Sequence, residues 1–168
     1  MEFYEVVKIR RSVRKYKATP VEQEKLDRIL EAARSAPSAA NIQPCRFFVL
    51  LNADLRHQLK AAYAPDWFHT APVILVGCVD TTQAWRRSDG KSYADVDLAI
   101  AMEHVILAAT AEGLGTCWIG AFKPEPVRQL LELPPGLEPI AMTPIGYPDE
   151  QPAPKRRKPL SEIVKFIR

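Results

Sequence analysis

The apolar positions of the chain fall into short blocks whose spacing switches between helical and strand-like. Phe3, Tyr4, Val6, Val7 and Ile9 recur at helical spacing. A second helix is expected near Thr19. That residue can cap, Pro20 suits the first helical position, and Glu22 completes a capping box. Leu26, Ile29, Leu30 and Ala33 then share one face. Ser35 to Pro44 is small, polar and bounded by prolines, which predicts a loop. Arg46 to Leu51 reads as a strand, and Asp54 can cap a short helix through Leu59. Pro72 to Val79 is continuously apolar and Val-rich, as a buried strand requires. Asp80 to Tyr93 is polar with an Asp89-Gly90 turn signal, and reads as a mobile connection. A long helix is expected from Ala94 to Glu112, stopped by Gly113. Thr116 to Ile119 reads as a strand, Pro126 to Leu131 as a short helix and Pro139 to Ile145 as a strand. From Gln151 the chain is basic and proline-rich, then apolar at Ile163, Val164, Phe166 and Ile167.

The long helix is apolar nearly all the way round, so most of its surface must be covered. Either a partner subunit or the chain's own sheet and helices can do this.

Composition narrows the class. The 168 residues suit one domain spanning 1–168, long enough for a core without disulfides. Hydrophobic residues at 47% and charged residues at 26% argue against disorder. A net charge of +3 is too mild to imply nucleic acid. The three cysteines are odd in number and form no CxxC, which disfavours a disulfide framework or an iron–sulfur cluster. Free cysteines suit a reducing compartment. No basic stretch followed by an apolar one opens the chain, so no signal peptide is expected. The apolar stretch from Val96 to Ala111 is broken by Asp97, Glu103 and His104, which argues against a membrane span. The expectation is a soluble cytoplasmic protein with neither a membrane nor a nucleic-acid partner.

Three segments offer groups for a phosphorylated, planar ligand. In Arg10-Arg11-Ser12-Val13-Arg14, alternate residues of an extended turn point the same way, so Arg10, Ser12 and Arg14 can converge. The plainer alternative is a solvated basic turn. In Pro37 to Pro44, small residues permit close backbone approach, and Ser38, Asn41 and Gln43 add hydrogen-bonding groups. A simple helix-to-strand connection would look similar. Lys155-Arg156-Arg157-Lys158 could serve a phosphate, a solvated tail or a nucleic acid. No P-loop, HExxH or GxSxG is present, and Gly113-Leu114-Gly115 lies after a helix and before a strand, the reverse of a dinucleotide fingerprint. Cys117 in an apolar strand reads as inert.

These segments together resemble the nitroreductase family. The resemblance runs through Arg10 to Tyr16, Ala36 to Pro44, Gly113 to Phe122, Ile145 to Pro148 and Pro154 to Pro159. It implies an α+β fold, with a central mixed sheet flanked by helices and an intertwined homodimer with two shared FMN sites. It implies that Arg10, Ser12 and Arg14, with Arg11 in the same motif, hold the phosphate, ribityl chain and pyrimidine edge. Lys155 and Arg157 would clamp the phosphate. Pro37, Ser38, Ala39 and Asn41, with Gln43 beside them, would come from the other subunit. Ile119, Gly120 and Ala121 would lie beside the ring, with a backbone N–H near N5. NAD(P)H would be a transient donor in ping-pong turnover, and the acceptor a small electron-poor compound such as a nitroaromatic or quinone. No catalytic side chain is required, because the flavin carries the hydride chemistry. Reductive dehalogenation, oxygen-dependent flavin cleavage or flavin storage are alternatives on the same scaffold. Cys45 stands where the family often has Trp. The 80–93 segment and the residues around Trp67 and Phe68 are candidates for the open face of the flavin.

Overall fold

The computed structural model describes all 168 residues. In chain order the elements are α1 (Phe3–Ile9), α2 (Gln23–Arg34), β1 (Cys45–Leu50), α3 (Ala53–Gln58), α4 (Asp66–His69), β2 (Val73–Asp80), α5 (Ala94–Ala111), β3 (Gly115–Thr116), α6 (Pro124–Leu130), β4 (Leu137–Gly146) and α7 (Leu160–Ile163). The four strands form one sheet in the order β1-β2-β4-β3. Its strand pairs are all antiparallel. The parallel component is a single bridge from Ser12 to Thr116. The expected mixed sheet is thus an antiparallel one with one parallel attachment.

Burial on both faces explains the unbroken apolar run of β2. Val73 and Leu75 face a core shared with Leu26, Ile29, Leu98, Met102 and Val105 of α2 and α5. Ile74, Val76 and Cys78 face a second core with Leu59, Phe68 and Val127. A strand sandwiched this way has no solvent side and needs no polar alternation. Gly77 lets α5 press onto the sheet. A Cβ there would lie 3.1 Å from both Leu98 Cδ1 and Met102 Sδ, and a register shift follows between Gly77 and Cys78.

Helix α5 ends where expected, at Gly113 with φ +77°. Its buried side carries Ala94, Asp97, Leu98, Ala101, Met102, Val105, Ile106 and Ala109. The chain's own sheet and α2 therefore cover one face, while Val96 remains exposed on the other.

Several local expectations are corrected. Helix α2 begins at Gln23, not near Thr19, and its cap residue Glu22 makes no side-chain capping bond. The Glu22 carboxylate instead accepts from the Tyr147 hydroxyl at 2.6 Å. Asn52, not Asp54, caps α3, its Oδ1 accepting from the N–H groups of Asp54 and Leu55 at 2.8 and 3.1 Å. The 80–93 segment is folded back on itself. Arg86 bridges Ser92, Gly90 turns with φ +86°, and Trp85 meets Tyr93 edge-to-face at 4.9 Å.

Candidate functional site

The chain after α1 is extended and docks on β3. The Val13 N–H donates to the Thr116 carbonyl at 2.9 Å. Gly115 makes this approach possible, because a Cβ there would lie 2.9 Å from Val13 Cγ2. The docked segment and the chain at 152–157 line one cavity of about 480 Å³. It brings together Arg10, Arg11, Ser12, Arg14, Lys155 and Arg157. Arg11 is partly committed elsewhere, its Nη1 donating to the carbonyls of Lys8 and Arg10 at 2.7 and 2.8 Å. Arg10, Arg14, Lys155 and Arg157 make no ion pair within 4.0 Å. The Arg14 N–H donates to the Glu150 carboxylate, and the Arg14 guanidinium lies 5.9 Å from the centre of the Trp67 ring. Four uncompensated cations and a hydroxyl around one cavity form a donor set for a phosphate or another anion.

Pro37, Ser38 and Gln43 line a different cavity of about 630 Å³, with Asp97, Arg34 and Arg46. No residue is common to the two. The loop forms a short 3-10 turn over Ala39–Asn41. Ala40, Asn41 and Gln43 adopt left-handed φ values of 50°, 55° and 56°. Such conformations cost non-glycine residues of order 1 kcal/mol each and persist only where the surroundings impose them. Among the bonds that hold the loop, two have side-chain acceptors. The Gln43 N–H donates to Ser38 Oγ at 2.9 Å, and the Ala39 N–H donates to Asp97 Oδ1 at 2.9 Å.

Ile119, Gly120 and Ala121 follow β3. Ile119 is buried and pairs with Met142, and Gly120 is exposed. Ala121 lines a third cavity with Tyr63, Phe122, Lys60 and Lys123. Within one chain the structure therefore gathers the basic residues but keeps the Pro37 loop and Ala121 apart from them.

Burial raises the Cys117 thiol above its ordinary value, with a partial offset from Arg14 and a hydrogen bond from Ser12. This keeps the thiol protonated and matches its expected inertness. Burial likewise pushes Cys45 up to about 11. Asp97 and Glu150 were not among the expected site residues, whereas Trp67, a candidate for the open face, lies beside Arg14. Asp97 left one sign in the sequence, a charge on the side of α5 that otherwise carries apolar residues.

Comparison with known proteins follows the same outline. The Nitroreductase family model matches residues 7–65 and 57–147. An "NADH dehydrogenase" of Thermus thermophilus is 32% identical, covering 92% of this chain and 91% of the relative. An "FMN reductase [NAD(P)H]" of Bacillus subtilis is 33% identical, covering 91% of this chain and 68% of the relative. A crystal structure of a nitroreductase family protein from Clostridium difficile 630 superposes with a TM-score of 0.91 at 37% identity, over 99% of this chain and 98% of the other. By family model, sequence and fold, this chain belongs to the nitroreductase family.

Proposed function

We propose that the protein is an FMN-dependent oxidoreductase that takes reducing equivalents from NAD(P)H and delivers them to a small electron-poor acceptor. The observation that carries this reading is the convergence of Arg10, Arg14, Lys155 and Arg157 on one cavity whose lining holds no carboxylate and where none of the four is in an ion pair. Family membership and the relatives named for FMN, NADH and NAD(P)H chemistry support it.

The donor set fits FMN. Lys155, Arg157 and Arg10 would hold the phosphate, where doubly charged oxygens match guanidinium and ammonium donors. Ser12 would donate to the ribityl chain. Arg14 would lie toward the pyrimidine edge, where positive charge favours the reduced ring. Ile119, Gly120 and Ala121 would flank the ring, and the Pro37, Ser38, Ala39, Asn41 and Gln43 loop would approach from a second protomer. When bound, FMN supplies a ring that accepts and passes on a hydride. The chain's part is to bind, orient and exclude water. No acid or base side chain is assigned.

The test is direct. The purified protein should bind FMN with one equivalent per chain, and anaerobic NAD(P)H should bleach it. Arg157→Ala should weaken FMN binding by about ten- to a hundredfold, the worth of one charge-assisted hydrogen bond. A chain that rejects added FMN overturns the reading. Binding without bleaching leaves a flavin-storage protein.

A further inference from the structure

Asp97 is a buried carboxylate in the first turn of α5, only 2% exposed. One oxygen accepts from the Ala39 N–H at 2.9 Å, and Oδ2 has no hydrogen-bond partner. An unpaired buried carboxylate oxygen is costly, and an apolar residue would suit a core helix better on stability alone. Its contact falls on the loop with three left-handed non-glycine residues. Ser38 Oγ closes that loop from within through the Gln43 N–H, and Asp97 is the side chain outside it that grips its backbone at Ala39. Ala39 opens the 3-10 turn that carries Ala40 and Asn41, so fixing Ala39 fixes where the turn begins. The partial positive charge at the α5 N-terminus favours a carboxylate at this place.

We propose that Asp97 is a positioning residue for flavin binding. It pins Ala39 to α5 and so presets the Pro37 to Gln43 loop in the conformation that contacts the cofactor. The loop then pays no ordering cost when the ligand arrives. The proposal rests on the FMN reading given above.

Three variants test it. Asp97→Ala removes the acceptor. Asp97→Asn keeps an oxygen at the same place. Ala39→Pro removes the donor and leaves α5 untouched. Ser38, at φ −133° and ψ 159°, already has the extended backbone that a residue before proline requires. Titration of the apoprotein should show Asp97→Ala binding FMN about tenfold or more weakly, with altered visible circular dichroism of the bound flavin. Asp97→Asn should return both to near wild type. Ala39→Pro should weaken FMN binding comparably, and the Asp97→Ala/Ala39→Pro double variant should be no worse than the weaker single, since both remove one interaction. A general packing role would lower the melting temperature without the rescue or the non-additivity. Wild-type affinity and dichroism in Asp97→Ala would overturn the proposal. If Asp97→Ala does not fold, wild-type affinity in Ala39→Pro would overturn it. A wild-type protein that binds no FMN would instead defeat the functional reading.

Discussion

Cys78 sits in the middle of β2 with no exposed surface, and burial pushes its thiol up to about 12. The folded chain therefore keeps this proton at pH values where the unfolded chain has lost it. Above the ordinary thiol value of 9.0, the unfolded state binds fewer protons, so stability falls as pH rises toward 12. The loss is at most about 1.4 kcal/mol per pH unit and vanishes below the ordinary value. Urea melts near pH 7.5 and about pH 10 should show a larger loss for wild type than for Cys78→Ala. At this scale, the sequence carries chemistry better than contacts. Arg10, Ser12, Arg14, Lys155 and Arg157 drew notice as cationic and hydroxyl groups, but by type alone they could equally be solvated, and the family resemblance supplied the anion role; in the folded chain they line one cavity. Asp97 was legible only as an interruption in an apolar helix. Its meaning lies in a bond to Ala39, 58 positions away, which no local pattern encodes.

Elements were legible where local chemistry decides their ends. Gly113 stops α5 because glycine takes its positive φ without the strain that other residues incur there. The start of α2 was misread because Thr19, Pro20 and Glu22 match a capping box locally. In the folded chain Glu22 turns to Tyr147, 125 positions later, and to Lys25 at 3.8 Å. Likewise Asn52 outcompetes Asp54 as a cap. Gly115 links element packing to the site. Gly115→Ala would drive a Cβ into Val13 at 2.9 Å and displace the segment that carries Ser12 and Arg14. Overpacking of this kind costs about 1–3 kcal/mol. FMN affinity should fall along with the melting temperature. Gly113→Ala is the control. Its Cβ meets nothing within 4 Å, so its left-handed strain of about 1–2 kcal/mol should lower stability and leave FMN affinity intact.

For the whole molecule, no helix is long and apolar enough to cross a membrane. Yet apolar side chains stand in the open at both ends. Phe3, Tyr4, Val7 and Ile9 of α1 are exposed, and so are Leu160 and Ile163 of α7, Phe166 at 79% and Ile167 at 81%. A lone chain rarely leaves so much apolar surface uncovered. A second protomer seated there would bury it, and on the proposed reading its Pro37 loop completes the basic cavity. Light scattering at low micromolar concentration should therefore give a dimer mass, and FMN should raise the melting temperature by mass action. A monomer with stoichiometric FMN would defeat the shared site. The basic half of the site was readable from one chain. The proposed pairing of that half with the Pro37 loop of a second protomer came only from the family resemblance, because within one chain the two line separate cavities.

The separation of the basic cavity from the loop cavity has a genetic consequence. Two variants, each inactive alone, should complement one another when their dimers are exchanged. One would carry Arg10→Ala and Arg157→Ala, the other a disabled Pro37 to Gln43 loop. In a mixed pair, one site inherits both defects and the other inherits neither. Random re-pairing of equal amounts should restore about a quarter of the wild-type sites. Two lesions within the same half should never rescue each other.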